Sequence, residues 1–310
     1  MILTLTPNAA LDRVLVIDEF RPETTMRPNR IIDKVGGKAL DASVALRVFG
    51  VEVLALSFVA GETGRRLVAL LDEYGIRHDL IWLEGESRLS HVIVETRHRR
   101  HSHIIAGALP VPAAAAAEFL RKYRTHVSSA AWVIAGGSLP PGAPADYYGT
   151  IIEIANQAGA PILIDATGPP VQAALPTPPT ILKMNWDEFT QTFGASPAGA
   201  LDRLAEQARA VAERYRLPAL VLTCGKQGLL ACTPEGEFLA TAPPQPAVNA
   251  AGAGDTVSAA LAWRLSIGDG WPATLRWAAA GAASVLTAGT ADCRPADLER
   301  ILPQTTVQRL

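Results

Sequence analysis

The sequence contains few cysteines and no long apolar run. Three cysteines occur among 310 residues, and their spacing matches neither a metal-ligand pair nor a redox pair. A low and odd number of cysteines predicts reduced thiols in a cytoplasmic protein. No stretch approaches the about 20 apolar residues of a membrane span, and the N-terminal segment is too short and too polar for a signal peptide. We therefore expect no membrane partner.

An excess of basic charge is also missing. The chain has 28 Lys and Arg against 30 Asp and Glu, a formal net charge of −2. Because binding nucleic-acid phosphates requires clustered Lys and Arg, this balance predicts no nucleic-acid partner. The basic run RHRRHSH at residues 97–103 is expected to be a solvated hairpin, since no carboxylate or cysteine lies at a spacing that would complete a metal site.

Two common nucleotide-binding motifs are absent as well. No GxxxxGK[ST] motif occurs, and no GxGxxG fingerprint follows the first predicted strand. These absences count against the P-loop and Rossmann folds. Any nucleotide must therefore be held in another way.

Strand-like and helix-like segments alternate along most of the chain. Residues 53–59 are predicted to form a buried strand and residues 63–74 a helix, and the same order returns after residue 110. This alternation indicates an α/β fold with a mostly parallel sheet between helices. Three helices are predicted to close the chain, over residues 253–265, 272–287 and 295–302.

The alternation stops between residues 78 and 105. Three strand-like stretches follow one another there, with no room for helices between them. Together with strands predicted near Val14 and Ile31, they are expected to form a small separate sheet. We expect this sheet to act as a lid, built from segments near 12–35 and 78–106, on a single domain that spans residues 1–310.

A glycine-rich segment, NAAGAGDT at residues 249–256, precedes an apolar helix. Glycines there let the backbone turn and direct several N–H groups at one point, and the helix dipole adds to that field. The pattern therefore predicts a site for anionic oxygens. Asp255 falls in the first helical turn, where a carboxylate could accept the proton of an attacking hydroxyl beside a transferring phosphoryl group. The spacing alone also allows Asp255 to be only an acid that interacts favourably with the helix dipole.

Several separated motifs, in the same order, resemble those of the ribokinase-like, or PfkB, family of carbohydrate kinases. They are LTPNAALD at 5–12, GGK at 36–38, AGGSLPPG at 135–142, DATG at 165–168, KMNWDE at 183–188 and GAGD at 252–255. The resemblance covers essentially the whole chain. It is closest to the hexose-phosphate branch, which contains 1-phosphofructokinase, tagatose-6-phosphate kinase and the minor 6-phosphofructokinase.

The resemblance implies a three-layer α/β/α domain with a small β-sheet lid. It also implies an enzyme that uses ATP and Mg²⁺ to phosphorylate a hydroxyl of a sugar phosphate, such as fructose 1-phosphate or tagatose 6-phosphate. Family members often pair through their lid sheets, so a homodimer is expected.

The resemblance assigns the catalytic and sugar-binding residues. Asp255 would be the base, and backbone N–H groups of Gly252, Ala253 and Gly254 would contact the transferring phosphoryl group. Arg88 would bind the phosphate of the substrate, because a planar guanidinium can bond two phosphate oxygens at once. The residues implied to line the sugar pocket are Asp12, Gly37, Lys38, Asp41 and Ser138. Lys38, Arg88 and Asp12 also have simpler explanations, as a solvated lysine, a surface arginine and a turn residue.

The resemblance also assigns the nucleotide-binding residues. Lys183 would contact ATP phosphates, while Asn185 and Glu188 would organise Mg²⁺ through its waters. Mg²⁺ keeps several waters, so indirect control by a carboxylate is chemically reasonable. Asn185 and Glu188 are alternatively explained as a helix N-cap with its first-turn acid. The remaining implied nucleotide contacts are Thr223, Gly225, Gly228, Ala279, Ala283 and Ser284.

One motif departs from the family pattern. Relatives usually continue Gly-Gly-Lys-Gly-x-Asn, whereas this chain has Ala39 and Asp41 at the corresponding positions. An ionised aspartate only accepts hydrogen bonds, and its charge would repel a phosphorylated sugar unless Lys38 or Arg88 compensates. A kinase for an unphosphorylated sugar or a nucleoside therefore stays an alternative, as does a non-catalytic sensor of sugar or nucleotide.

Overall fold

The computed structural model describes residues 1–194, 201–246, 251–285 and 293–310. Its strands are β1 (Ile2–Thr6), β2 (Ala10–Ile17), β3 (Arg30–Gly36), β4 (Val53–Ala60), β5 (Arg77–His78), β6 (Ile81–Leu83), β7 (Arg88–Glu95), β8 (Arg100–Ile105), β9 (Trp132–Gly136), β10 (Ile162–Asp165), β11 (Ile181–Asn185), β12 (Ala219–Thr223), β13 (Leu229–Thr233), β14 (Gly236–Thr241) and β15 (Thr306–Arg309). Its helices are α1 (Lys38–Val48), α2 (Gly61–Glu73), α3 (Ala113–Val127), α4 (Tyr147–Gln157), α5 (Pro169–Ala174), α6 (Trp186–Phe193), α7 (Leu201–Tyr215), α8 (Ala253–Ser266), α9 (Trp271–Ala283) and α10 (Pro295–Ile301).

The main sheet is large and mostly parallel. Its strands follow the order β15-β14-β13-β12-β11-β10-β9-β1-β4-β5, and β6 also pairs with β4. Pairing is parallel from β5 to β12 and antiparallel from β12 to β15. The central strands β1, β9 and β10 are buried along their whole length, as expected for parallel strands covered on both faces.

Helices cover both faces of this sheet. Successive side chains of β1 point to opposite faces, so Ile2 packs in one core cluster and Leu3 in the other. Helices α1, α2, α8 and α9 contribute to the first cluster, and α3, α4, α6 and α7 to the second. The predicted three-layer α/β/α architecture is confirmed.

A small separate sheet is confirmed too, although its composition differs from the prediction. It contains β3, β2, β7 and β8 in that order. The expectation that residues 78–83 join it is wrong: β5 and β6 both pair in parallel with β4 of the main sheet. These strands have two and three residues, which is too short for an alternating pattern to show which sheet they extend.

The C-terminal part differs from the prediction in one respect. Helices α8, α9 and α10 correspond to the three predicted helices, and the predicted residues 286 and 287 of the second lie outside the described residues. After α10 the chain forms β15, which pairs antiparallel with β14 and extends the main sheet by one strand. The short helix α5 was not predicted either. Among the described residues, no helix is both long and apolar enough to cross a membrane.

Candidate active site

The start of α8 lies at the centre of the site. Gly252 precedes the helix with φ 84°, a left-handed conformation that glycine adopts without steric cost. The next turn of α8 is buried, but Asp255 in the first turn remains partly exposed. The predicted glycine-rich loop therefore orients Asp255 toward an opening and not into the core. Asn249 and Ala250 of that loop lie outside the described residues.

The environment of Asp255 shifts its acidity. Burial raises the pKa of its carboxyl, and the negative charge of Asp165 raises it further, whereas Lys183 and Lys38 act in the opposite direction. The resulting pKa is about 7, against an ordinary value of 3.8. A carboxyl with a pKa near 7 is well suited to accept a proton at neutral pH.

Asp165, at the end of β10, connects the surrounding polar side chains. It is 1% exposed, and it accepts hydrogen bonds from Lys38 Nζ at 2.8 Å, Lys183 Nζ at 2.7 Å and Ser258 Oγ at 2.8 Å. Burial opposes its ionisation, but the charges of Lys183 and Lys38 outweigh that effect and lower its pKa to about 2. Asp165 is therefore an ionised carboxylate. It lies in one of the recognised motifs, yet no role was predicted for it.

Lys38 and Glu188 extend this arrangement. Lys38 Nζ lies 2.7 Å from Glu188 Oε1, and although burial opposes its charge, Asp165 and Glu188 raise its pKa. Glu188 Oε2 accepts from the Asn185 backbone N–H, while Asn185 Oδ1 accepts from the Glu188 N–H. The capping box given as the simpler explanation of this pair is thus present at the start of α6.

The same geometry limits how Mg²⁺ could be held. Both carboxylate oxygens of Glu188 and the side-chain oxygen of Asn185 already accept hydrogen bonds. Among the residues that the structure describes, no group of three His, Cys, Asp or Glu side chains could hold a metal ion. A carboxylate oxygen that accepts one hydrogen bond can still accept another from water. These residues therefore fit a contact to Mg²⁺ through water better than direct coordination.

Gly254 brings α8 close to Lys183. A Cβ atom at position 254 would lie 2.9 Å from Lys183 Nζ, a distance that real Cβ atoms hardly ever show. A side chain at position 254 would therefore require the ammonium group of Lys183 to move away from the helix start. The positive end of the helix and the ammonium group together favour an anion in front of Ala253 and Gly254.

A cavity of about 480 Å³ opens next to this helix start. Its lining includes seven of the predicted site residues: Thr223, Gly225, Gly228, Ala253, Gly254, Ala279 and Ala283. Residues that the sequence analysis did not single out also line it, among them Lys226, Gln245 and Val285. Ser284, also predicted to contact the nucleotide, is not among the residues that line the cavity. Its hydroxyl is buried and donates a hydrogen bond to the Gly281 carbonyl at 2.7 Å.

Several of the residues predicted to bind the sugar lie near one another, and the charge of Asp255 acts on one of them, Asp41. Asn8 connects two of them, since its carbonyl accepts from Arg88 Nη2 at 3.0 Å and its side-chain amide donates to Ser138 Oγ at 2.9 Å. Arg88 Nε is buried, and no described residue forms a hydrogen bond with it. Burial lowers the pKa of Arg88, and the negative charges of Asp12 and Asp41 oppose this shift.

Asp12 and Asp41 lie close to the turn at residues 36–37. A Cβ atom at Gly36 would come within 2.4 Å of Asp12 Oδ1, so the absence of a side chain there makes room for this carboxylate. Gly37 has φ 110°, and its N–H donates to Asp41 Oδ2 at 3.1 Å. The predicted residues on β2, α1 and β7 are thus brought together by the junction of the small sheet with the main domain.

Comparison with known proteins agrees with this arrangement. The family model for pfkB family carbohydrate kinases matches residues 8–297. The chain is 33% identical, over 303 residues, to the ATP-dependent 6-phosphofructokinase isozyme 2 of Mycobacterium tuberculosis, covering 96% of this chain and 88% of that protein.

Solved structures show the same fold. A protein named "Possible 1-phosphofructokinase" from Thermotoga maritima superposes with a TM-score of 0.90 at 23% identity, covering 100% of this chain and 99% of that one. Phosphofructokinase-2 from Escherichia coli superposes with a TM-score of 0.88 at 21% identity, covering 97% and 98%. The chain belongs to the pfkB family of carbohydrate kinases.

Proposed function

We propose that the protein transfers the γ-phosphoryl group of ATP to a hydroxyl of a sugar phosphate, with Asp255 as the base. The acceptor belongs to the class of fructose 1-phosphate, fructose 6-phosphate and tagatose 6-phosphate. The observation that carries this proposal is the place of Asp255 in the first turn of α8. Its neighbours Ala253 and Gly254 line the cavity, and its charge acts on Asp41, which also interacts with Asp12 and Arg88.

The chemistry follows from these positions. Asp255 accepts the proton of the acceptor hydroxyl while that oxygen attacks the γ-phosphorus and the bond to ADP breaks. Backbone N–H groups at 252–254 and the ammonium of Lys183 offset the negative charge on the transferring group. Asp165 positions Lys183 and Lys38 without contacting the substrate itself.

The cavity is suited to the nucleoside part of ATP. Its volume falls in the usual range of about 300–1,000 Å³ for small-molecule sites, and much of its lining is apolar, including Ala279, Ala283 and Val285. Mg²⁺, held through waters near Asn185 and Glu188, would supply positive charge to the phosphates of ATP.

Arg88 supports a substrate that carries its own phosphate. Its Nε is a buried donor without a partner, and such a group is costly unless a ligand satisfies it. A phosphate oxygen is a suitable acceptor, because charge-assisted bonds from guanidinium to phosphate are short and strong.

The substitution Asp255→Asn tests the proposed base. It should lower kcat by about 10²- to 10⁴-fold, the usual contribution of a general base, while ATP binding measured by calorimetry persists.

In the wild-type enzyme, the ionised form of Asp255 increases with pH. The value of kcat/KM should therefore rise by about tenfold per pH unit below the pKa of about 7 and level off above it.

A matched control separates catalysis from an effect on the helix dipole. Asp202 is the first-turn acid of α7, as Asp255 is of α8. Asp202→Asn should affect stability through the helix dipole and leave kcat unchanged. Retention of most activity in Asp255→Asn would remove Asp255 from the mechanism.

A second candidate function is phosphorylation of a sugar without a phosphate. The closeness of Asp12 and Asp41 favours it, because carboxylates accept hydrogen bonds from sugar hydroxyls and repel phosphate. Arg88→Ala decides between the two. For a phosphorylated substrate it should raise KM by about 10- to 100-fold, since hydrogen bonds to charged groups contribute roughly 1.5–3 kcal/mol.

The control is Arg88→Lys, which keeps the positive charge but loses the planar guanidinium that can donate two parallel hydrogen bonds to a phosphate. It should give an intermediate KM for a sugar phosphate. An unchanged KM in Arg88→Ala, in a screen of ADP release over sugars and sugar phosphates, would favour the second candidate.

A further inference from the structure

Asp41 has a buried carboxyl group, and the described residues form a hydrogen bond with only one of its two oxygens. The residue lies in the first turn of α1 and is 4% exposed. Its Oδ2 accepts a hydrogen bond from the Gly37 N–H at 3.1 Å. Its Oδ1 is buried and has no hydrogen-bond partner among the residues that the structure describes. An ionised carboxylate in this position would leave a buried, charged oxygen without a donor, which is unfavourable.

The groups that face Asp41 are mainly acidic. Asp255 faces it from α8 and Asp12 from β2, while Arg88 faces it from β7. Arg88 does not pair with Asp41 within the described part of the chain, because its Nη2 donates to the Asn8 carbonyl and its Nε has no partner. Burial, followed by the charges of Asp255 and Asp12, raises the pKa of Asp41 well above 3.8, and Gly37 and Arg88 only partly oppose this. Burial and the negative charges of Asp255 and Asp12 therefore all favour the neutral form of the Asp41 carboxyl.

We propose that Asp41 is a neutral carboxylic acid at neutral pH and that its Oδ1–H donates a hydrogen bond to an oxygen of the sugar substrate. The part concerning substrate rests on the proposed function. A neutral acid has one donor and keeps an acceptor oxygen. Oδ2 therefore retains its bond from the Gly37 N–H, and Oδ1 becomes a donor.

This protonation state bears on substrate choice. Lys38 is already held between Asp165 and Glu188, so it does little to offset charge near Arg88. If Asp12, Asp41 and Asp255 were all ionised, their charge would outweigh that of Arg88. With Asp41 neutral, a phosphorylated sugar meets one repelling charge fewer and gains one donor. Asp41 thereby acts as a specificity-determining residue for an anionic substrate.

The protonation state is tested by ¹³C NMR of the carboxyl carbons in the full-length protein labelled at aspartate. The signal of Asp41 is the one that disappears in Asp41→Asn. It is expected to have the chemical shift of a neutral acid at neutral pH. A signal of an ionised carboxylate at neutral pH would overturn the proposal. Because this measurement needs no turnover, it stands even if no sugar phosphate is phosphorylated, an outcome that would refute the proposed function alone.

Kinetics test the donor role. Asp41→Ala should raise KM for the sugar phosphate by about 3- to 10-fold, the usual effect of one lost hydrogen bond. Asp41→Asn should raise it less, because the amide still donates an N–H from the same position. Equal KM values in the two variants would contradict a donor role.

The pH dependence of KM can be compared directly with the NMR titration of Asp41. In the wild-type enzyme, KM for the sugar phosphate should rise by up to about tenfold per pH unit above the pKa that the NMR titration gives. Asp41→Asn should lack this rise, although it retains the ionisation of Asp255. A wild-type KM that stays constant while the Asp41 signal titrates would overturn the proposal. If the signal shows no ionisation up to the highest pH at which the enzyme is folded, KM should stay constant over the same range.

Discussion

Two aspartates of one site show how strongly the local surroundings decide acidity. Asp165 accepts hydrogen bonds from two lysines and has a pKa of about 2, whereas no described lysine donates a hydrogen bond to Asp255, whose pKa is about 7. Burial raises the pKa of both carboxyls, although Asp255 keeps part of its surface exposed. The direct contacts of Lys38 and Lys183 therefore make one carboxyl a permanent anion and leave the other able to exchange a proton.

The role of Asp165 leads to a prediction about stability. Asp165→Asn should lower the free energy of unfolding by about 3 kcal/mol at neutral pH, because it removes the charged partner of the buried Lys183 and one of the two charged partners of Lys38. The folded-state pKa of Asp165 lies below its ordinary value of 3.8, so its stabilising effect is present above that pH and is lost as the pH falls toward 2. Chemical denaturation at neutral and acid pH measures this difference.

Ser258→Ala provides the control for that experiment. It removes the hydrogen bond that the Ser258 hydroxyl donates to Asp165 Oδ2 but leaves both ammonium groups their charged partner, so it should cost less, about 1.5 kcal/mol. Equal losses of stability in the two variants would show that the charge of Asp165 is unimportant.

The family resemblance assigned Asp255, Lys183 and Arg88 to one site, but neither the resemblance nor the sequence pattern indicated a role for Asp165. Its partners Lys183, Ser258 and Lys38 are 18, 93 and 127 residues away along the chain. The pattern of neighbouring residues in the sequence does not indicate contacts between residues so far apart along the chain. These groups are brought together by the parallel pairing of β10 with β11, the packing of α8 on these strands and the packing of α1 against α8.

At the scale of secondary structure, the length of an element decided whether it could be predicted. Long strands such as β4 and helices such as α7 have enough residues to show their period. The strands β5 and β6 are too short for that. The strand β15 is mostly exposed, so it has no apolar alternation, and it becomes a strand because β14 offers a free edge.

The start of α6 combines a structural and a proposed functional role, and these can be separated. Asn185→Ala should lower the free energy of unfolding by about 1 kcal/mol through loss of the N-cap. Asn185→Ser keeps a capping oxygen but loses the amide. We expect serine to restore stability, measured by thermal denaturation, while both variants need more Mg²⁺ for half-maximal activity. Restoration of both properties by serine would mean that Asn185 is only a cap.

At the scale of the whole molecule, the small sheet presents apolar side chains to solvent. Ile31 on β3 is 59% exposed, and Ile104 and Ile105 on β8 are 51% and 61% exposed. Both strands are edges of this sheet. Exposed apolar side chains on sheet edges favour association with another chain. They support the homodimer through the lid that the family resemblance implies.

Substitution of these residues tests the assembly. The double variant Ile104→Lys/Ile105→Lys should sediment as a monomer in analytical ultracentrifugation, because lysine on an edge strand opposes pairing. Ile267→Lys serves as a control, since Ile267 is 57% exposed at the end of α8, outside the small sheet. A double variant that sediments like the wild-type protein would place any dimer contact elsewhere.

The contacts of Asp165 have a practical consequence for changing which sugar the enzyme accepts. One carboxylate anchors side chains from α1, β11 and α8, so an altered residue there would disturb the acceptor and nucleotide sides at once. Asp12, Asp41 and Arg88, which we propose to bind the acceptor, form none of these three bonds to Asp165. Libraries for enzyme engineering should therefore vary these three positions and keep the anchored lysines and serine fixed.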